Sequence, residues 1–301
     1  MRALITPLCV GAMTMLAGCG GGATGETAPA PTTTTTATTT TRVEPAETPD
    51  ASKLSADLDA LGERIGAEVG ATMGAPGAPP LVLGSLQSGS AWSTIKVPIA
   101  LQVIDEAGGV EKLPSSQRAD ITAAITRSDN EAAARLFEGL VASHGSVAAA
   151  SQALTDLLRE AGDEETVVST KGRDGFSSYG QTEWSLQAQQ TFMGALLNGC
   201  VADPGARDFV LAQMSQVTSD TWGLGSAAVP ALWKGGWGPG ADGRYLVRQM
   251  GEIDVDGADF AVTIAAIPGD GAFESGQAAA TRVAQWIVEH APKDAGKPNG
   301  C

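Results

Sequence analysis

The stretch STIKVPIALQVIDE, residues 93–106, decides how this chain folds. Its residues are almost all apolar after Lys96, so a helix here must be buried on most sides, and Gly108-Gly109 ends it. Ser93 and Lys96 stand three residues apart at its start, and residues three apart lie on one face of a helix. The sequence therefore predicts a central buried helix that carries a hydroxyl beside an amine at its N-terminal end.

Other helices and strands surround this stretch in an order typical of an α+β protein. By hydrophobic periodicity, the predicted helices lie at 51–64, 93–106, 115–127, 130–141, 146–161, 183–198, 205–216 and 273–290. The predicted strands lie at 65–73, 81–86, 232–234, 245–253 and 260–267. The first two strands and the last three must pair with each other around an inserted helical region, which gives the α+β architecture.

The first residues predict an exported lipoprotein. Arg2 precedes an apolar run, Ala3–Leu16, that is too short to span a membrane. Leu16-Ala17-Gly18-Cys19 then matches a lipobox, at which a bacterial cysteine is acylated and becomes the mature N-terminus. The alternative is an ordinary signal peptide followed by a chance cysteine. We interpret 1–18 as a signal peptide and Cys19 as the acylated (palmitate-bearing) residue that anchors the protein to the extracytoplasmic face of the cell membrane.

The segment 19–50 has the composition of a tether. It is rich in Gly, Ala, Pro and Thr, with threonine runs at 32–36 and 38–41. Such a segment buries too little apolar surface to offset its ordering entropy, so we expect it to be disordered. This leaves 51–291 as the working domain and 292–301 as a short C-terminal tail.

The four cysteines agree with export. Cys9 leaves with the signal peptide and Cys19 carries the lipid. Cys200 and Cys301 remain as one candidate disulfide in an oxidising compartment.

Net charge and the absence of certain motifs argue against two functions, nucleic-acid binding and metal-dependent chemistry. The chain of 301 residues has a net charge of −15 and would repel polyanions, so we expect no nucleic-acid partner. The two histidines, His144 and His290, belong to no zinc-binding pattern, and the sequence contains no G-x-S-x-G motif. We therefore expect no metal and no cofactor, and we consider a Ser-His-Asp triad the weaker model for a hydrolase.

Three short motifs occur in order: Ser93-Thr94-Ile95-Lys96, Ser128-Asp129-Asn130 and Lys234-Gly235-Gly236. An S-x-x-K motif alone is weak, but the three together resemble the serine β-lactamase and penicillin-binding transpeptidase superfamily, closest to class A β-lactamases. The resemblance covers nearly the whole of 51–291. It implies an antiparallel five-stranded sheet flanked by the terminal helices, with an inserted all-helical region.

The chemistry of the first motif can be stated independently of the resemblance. A lysine buried at position 96 can lose its proton near neutral pH and activate the hydroxyl of Ser93. Amides at a helix N-terminus favour developing negative charge, so the N–H of Ser93 is half of an oxyanion hole. Ser93 and Lys96 are thus predicted catalytic residues, and the resemblance implies Ser128 as the third.

The remaining roles are implied by the resemblance. The predicted substrate-binding residues are Asn130, Lys234, Gly236, Trp237 and Arg244. The N–H of Trp237 would complete the oxyanion hole, Ser128 would pass a proton to the leaving nitrogen, and Asn130 would hold the substrate amide. Lys234 would attract a substrate carboxylate and polarise Ser128. Arg244, or alternatively Arg248, would add a second positive contact.

Each motif also has a plain structural interpretation. Ser93 and the Ser128-Asp129-Asn130 group are suitable as helix caps. Lys234 would suit the edge of a sheet, where a charge discourages aggregation. Arg244 and Arg248 would serve equally well as solvated surface residues.

Two departures from the class A pattern bear on function. Active enzymes of that class carry an E-x-x-L-N loop whose glutamate activates the deacylating water, and no glutamate at 160–183 is followed by Leu-Asn; those glutamates are Glu160, Glu164, Glu165 and Glu183. The residue after Lys234 is usually Thr or Ser, whose hydroxyl binds the substrate carboxylate, but here it is Gly235. These losses affect hydrolysis and substrate binding, while the residues for acylation are kept.

The sequence thus predicts a lipid-anchored, monomeric serine hydrolase that forms an acyl-serine and releases it slowly. Its substrates would be β-lactams, D-alanyl peptides of peptidoglycan, or related small amides and esters. The main alternative is a non-catalytic lipoprotein that keeps the fold and binds the cell wall or a partner. An esterase that uses the same serine is a third hypothesis.

Overall fold

The two ends of the domain meet in one antiparallel sheet. The structure is a computed structural model that describes residues 50–292. Its strands are β1 (Ala67–Gly74), β2 (Leu81–Gly84), β3 (Ser88–Ser90), β4 (Glu183–Ser185), β5 (Ala231–Pro239), β6 (Tyr245–Val255) and β7 (Ala258–Pro268). The main sheet has the order β2-β1-β7-β6-β5, so the N-terminal strand β1 pairs with the late strand β7, with Ala67 opposite Pro268 and Gly74 opposite Ala261. Strands β3 and β4 form a separate two-stranded sheet.

The described residues form eight α-helices, some against the sheet and the others in the inserted helical region. They are α1 (Ala51–Ile65), α2 (Lys96–Ala107), α3 (Ser115–Thr126), α4 (Asn130–His144), α5 (Val147–Glu160), α6 (Leu186–Asn198), α7 (Pro204–Met214) and α8 (Phe273–His290). Short 3₁₀ turns lie at Trp92–Ile95, Val110–Lys112, Tyr179–Gln181 and Gly223–Ser226. In the part of the chain that the structure describes, no helix is both long and apolar enough to cross a bilayer.

Two apolar cores hold these layers together. One joins the sheet to the terminal helices α1 and α8 through residues such as Leu58, Phe260 and Ile287. The other is centred on α2, whose Ile99 and Ile104 are fully buried among the inserted helices. Helix α2 therefore gives rigid support to the residues at its N-terminal end, Lys96 among them, because most of its surface is packed.

The α+β class, the five-stranded antiparallel sheet and the inserted helical region are confirmed. Three predicted elements differ in detail. Strand β5 extends to Pro239, far beyond 234, because its glycine-rich segment still pairs in register with β6. The predicted helix at 183–198 begins as strand β4, and the one at 93–106 begins as a 3₁₀ turn.

Some predictions fall outside the described residues. These are the signal peptide, the acylation of Cys19, the tether before Asp50 and the tail after Pro292. Cys200 is disulfide-bonded, and it is the one cysteine within 50–292, so its partner lies outside the described residues. Its pairing with Cys301 remains a prediction.

A buried arginine joins the small sheet to the large one. Arg248 in β6 is fully buried. Its Nη1 donates to the carbonyl oxygens of Gly89 (2.7 Å), Ser90 (3.3 Å) and Trp184 (3.0 Å). Its Nη2 donates to Oε1 of Gln189 at 2.8 Å. Burial lowers the pKa of Arg248 to about 10, which still leaves it charged at neutral pH. Arg248 therefore has a structural role, because its buried guanidinium cannot contact a substrate.

We expect Arg248→Met to lower the free energy of unfolding by on the order of 3–5 kcal/mol, because several buried acceptors lose their donor at once. For a domain of this size the midpoint of thermal unfolding would fall by roughly 10 °C. Thermal denaturation followed by circular dichroism checks this. The exposed Arg282 on α8 is the matched control, and Arg282→Met should leave the midpoint nearly unchanged. Equal midpoints for the two variants would contradict the structural role of Arg248.

Candidate active site

The backbone around Ser93 is held in an unusual conformation. Trp92 has a φ of 49°, a left-handed value that is rare for a residue with a side chain, and Ser93 follows it in a 3₁₀ turn. The hydroxyl of Thr94 donates to the carbonyl of Ala91 at 2.6 Å and accepts from Nε2 of Gln189 at 2.8 Å. These contacts fix the turn, so the position of Ser93 is set before any ligand binds.

The 3₁₀ turn also aligns Lys96 with Ser93. Side chains three residues apart eclipse one another in a 3₁₀ helix, and the N–H of Lys96 donates to the carbonyl of Ser93. Ser93 and Lys96 both line one cavity.

The amine of Lys96 is buried and bound by oxygen atoms. Its side chain is 2% exposed. Nζ donates to the carbonyl of Ser128 and to Oδ1 of Asn130, both at 2.7 Å, and lies 3.5 Å from Oγ of Ser128. Burial first, and the positive charge of Lys234 second, lower the pKa of Lys96 to about 7. The amine is thus neutral in much of the protein near neutral pH and can accept a proton.

Ser128 connects this lysine to a second one. The backbone of Ser128 is left-handed, with a φ of 56°, just before Asp129 caps α4. Nζ of Lys234 donates to Oγ of Ser128 at 2.9 Å. Lys234 has no exposed surface, and its burial lowers its pKa to about 8 although Asp220 opposes that shift. The hydroxyl of Ser128 therefore lies between two amines, a suitable arrangement for passing on a proton.

Strand β5 brings its glycines against the serine. It is an edge strand of the main sheet. A Cβ added at Gly236 would lie 2.8 Å from the backbone nitrogen of Ser93 and 2.8 Å from the carbonyl of Ala91, so only glycine fits there. Trp237 follows Gly236, as the resemblance requires for an oxyanion hole formed by two backbone amides.

These residues surround a cavity of about 460 Å³. Ser93, Lys96, Ser128, Asn130 and Trp237 all line it, and the buried Lys234 reaches it through Ser128. Three of the five non-glycine residues with left-handed backbone in 50–292 also lie on its wall: Trp92, Ser128 and Asp220. Such strained residues collect at functional sites. Within the same residues, no group of three or more His, Cys, Asp or Glu side chains could hold a metal ion.

Arg244 lies apart from this group. It does not line the cavity, and its guanidinium donates to Glu68 at 2.9 Å and to Asp242 at 2.7 Å on the surface. The alternative residue, Arg248, is bound by carbonyl oxygens in the core. The structure therefore brings neither arginine to the cavity, and the predicted second positive contact is not formed by them.

The glutamates named from the sequence are also absent from the cavity wall. Glu164 and Glu165 are exposed, and Glu165 accepts a hydrogen bond from Ser185. Glu183 accepts from Ser88 at 2.5 Å, and Glu160 ends α5. Among the described residues that line the cavity, the one carboxylate belongs to Asp220. No glutamate is therefore placed to activate a water molecule for deacylation.

The segment 175–180 forms one side of the cavity. It contributes Phe176, Ser177 and Tyr179. Arg173 holds the segment in place by donating to the carbonyls of Pro239 and Gly240 at the end of β5. This wall is aromatic and uncharged.

Asp220 is the site residue that the motifs did not indicate. Its Oδ2 lies 3.7 Å from Nζ of Lys234, and its Oδ1 accepts from the indole of Trp237 at 3.1 Å. A Cβ added at Gly235 would lie 2.8 Å from both Cβ and Oδ2 of Asp220. The absence of Thr or Ser at position 235 thus has a physical cause, because Asp220 occupies that space.

Solved structures of several β-lactamases are similar to this chain. The TLA-3 extended-spectrum β-lactamase superposes with a TM-score of 0.66 at 14% identity, covering 81% of this chain and 100% of that one. A class A β-lactamase from Bacteroides cellulosilyticus gives 0.66 at 13% identity, covering 81% and 99%. The chromosome-encoded β-lactamase of Vibrio parahaemolyticus gives 0.63 at 14% identity, covering 80% and 100%.

The chain therefore has the β-lactamase fold, as the three motifs predicted. No protein-family model matches the sequence, and no curated protein matches it either. The likeness is one of fold, because the sequence identities are low.

Proposed function

We propose that this protein is a serine hydrolase in which Ser93 accepts an acyl group from a small amide or ester and releases it slowly. The proposal rests on the buried amines of Lys96 and Lys234, which lie on either side of the Ser128 hydroxyl. Ser93 lines the same cavity and follows the strained backbone of Trp92. Lys96, with a pKa of about 7, is the base, and Lys234 supports the proton relay. Maintaining two lysines in the interior is costly for stability, which favours a chemical role over a structural one.

The acylation step follows from these positions. Neutral Lys96 takes the proton from Oγ of Ser93 while Oγ attacks the carbonyl carbon of the substrate. The backbone N–H groups of Ser93 and Trp237 stabilise the negative charge on the carbonyl oxygen. As the carbon–nitrogen bond breaks, the hydroxyl of Ser128 gives its proton to the leaving nitrogen, and Lys96 returns the first proton to Ser128. An acyl-serine and a neutral amine result.

The missing glutamate predicts a long-lived acyl-enzyme. No carboxylate other than that of Asp220 lines the described cavity, so a water molecule lacks the base that would direct it to the ester. After incubation with benzylpenicillin at high concentration, or with its uncharged methyl ester, intact-protein mass spectrometry should show one added mass of the intact compound that persists when the free compound is removed. Rapid multiple turnover of a chromogenic cephalosporin would contradict slow release.

The same measurement separates this proposal from its main rival. A non-catalytic binding lipoprotein would gain no mass from benzylpenicillin and none from a fluorophosphonate probe. An esterase would react with the fluorophosphonate and with simple esters but not with the β-lactam. Labelling by both reagents at one serine supports the proposed acyl transfer.

We also propose that Cys19 carries a lipid, on the lipobox at residues 16–19. Wild-type protein expressed in a bacterium should incorporate an alkynyl fatty acid and sediment with membranes. Cys19→Ala should lose the label and leave the membrane fraction, whereas Cys9→Ala, which alters the signal peptide at a different cysteine, should keep both. An unlabelled wild-type protein would refute lipidation.

A further inference from the structure

The carboxylate of Asp220 stands where the resemblance places a carboxylate of the substrate, beside Lys234. Its side chain is 7% exposed, and Oδ2 lies 3.7 Å from the lysine amine. The same amine donates to Oγ of Ser128 and to the carbonyl of Gly235, both at 2.9 Å. A substrate carboxylate would have to displace one of these partners and would approach Asp220, a like charge in a partly buried site.

Asp220 is held firmly in this position. Its backbone carbonyl accepts from the indole of Trp233 and from the side-chain amide of Gln249, each at 2.9 Å. Its Oδ1 accepts from the indole of Trp237 at 3.1 Å, and its φ is 31°. These contacts stabilise a conformation that is unfavourable for a residue with a side chain. A ligand is therefore not expected to move Asp220 aside easily.

The surroundings favour an uncharged group at the same place. Trp237 is 41% exposed at the cavity and packs against Phe273 in a tilted arrangement, with ring centroids 4.3 Å apart. Tyr245 completes this aromatic surface. Besides the partly protonated Lys96, the described cavity wall carries Arg127 as a positive residue. Arg127 is exposed to solvent and close to the negative charge of Asp129, so salt screens its attraction for an anion.

We propose that Asp220 replaces the substrate carboxylate as the partner of Lys234, so that the site selects acyl donors with no negative charge at this position. This inference rests on the proposed acyl transfer and names its substrate class: neutral amides or esters. The protein would then differ in charge preference from an enzyme that uses its strand lysine to hold an anion.

Binding of a matched pair of ligands tests the proposal without chemistry. Benzylpenicillin and its methyl ester differ only in the carboxylate, and Ser93→Ala removes the nucleophile. Isothermal titration of the Ser93→Ala protein should show the ester bound at least tenfold more tightly than the acid. Adding Asp220→Asn, which keeps the shape and loses the charge, should shift this ratio at least tenfold toward the acid. Adding Asp220→Glu should preserve the preference for the ester.

Two controls isolate the local charge. The exposed Asp57 lies on α1, and Asp57→Asn removes the same charge at a distance, so the ratio should not move. At about 1 M salt the screening length is about 3 Å, which suppresses repulsion by the net charge but not by a nearly buried neighbour. The preference for the ester should therefore survive in salt.

Three results would overturn the inference: tighter binding of the acid to Ser93→Ala, a ratio that Asp220→Asn leaves unchanged, or no binding of either compound. The first would point to Arg127 as the group that receives the ligand. Failure of the proposed function is a separate observation, since it is the absence of acylation by both the uncharged methyl ester and the fluorophosphonate in the protein with Ser93 intact. If the expected binding ratios are found but no acylation occurs, the charge preference is supported and the proposed acyl transfer is rejected.

Discussion

Ser93→Ala is expected to abolish the covalent adduct with benzylpenicillin, with a loss of acylation rate on the order of a thousandfold or more. Among the described residues of the cavity wall, Ser93 alone carries its hydroxyl in the 3₁₀ turn three residues before the buried Lys96, where the two side chains eclipse each other. Stopped reactions analysed by intact mass give the rate, and peptide mapping of the wild-type adduct should locate it on Ser93.

The fold should survive this substitution. Ser93 is partly exposed, and its hydroxyl makes no hydrogen bond within residues 50–292. Thermal unfolding of Ser93→Ala should therefore match that of the wild type. Ser143→Ala, at an exposed position toward the far end of α4, serves as the matched serine control and should be acylated at the normal rate. An undiminished adduct on the Ser93→Ala protein would refute the role of Ser93.

Lys96→Ala is expected to slow acylation by about a hundredfold to ten-thousandfold, the usual contribution of a general base. Lys96→Arg should be equally slow, because a guanidinium stays protonated and cannot accept the proton of Ser93. Lys53→Ala, at an exposed position on α1, removes a lysine without affecting the site. Rates near the wild-type value for both Lys96 variants would show that another group is the base.

The pH dependence gives this prediction a second readout. Lys96 acts as a base only when neutral, and its pKa is lowered from 10.5 to about 7. The acylation rate should therefore fall about tenfold for each pH unit below 7 and rise through 7 to a plateau. Above about 8 Lys234 loses its proton as well, so the support that its charge gives to Ser128 declines. In Lys96→Ala the rise through pH 7 should disappear, which a merely structural role would not cause.

The sequence by itself was sufficient for the fold class and for the local part of the site. Hydrophobic periodicity is a local property, so it located the terminal helices and the buried α2 within a few residues. The spacing of Ser93 and Lys96 is also local, because any helical turn places residues three apart on one side. The motif around Lys234 indicated the strand that faces Ser93 and Lys96. Its glycines disfavour a strand prediction, so the sequence did not show that β5 extends to Pro239.

Only the tertiary structure decided which charges reach the cavity. Arg244 and Arg248 are equivalent in the sequence as cations at the start of one strand region, yet one pairs with Glu68 at the surface and the other is enclosed by carbonyl groups. Asp220 lies in no motif, and its significance depends on the space left by Gly235 in a different element. Periodicity and spacing describe neighbours along the chain. The partner of a buried charge depends instead on how distant segments pack, because a buried charge is stable only with an opposite charge or a hydrogen bond nearby.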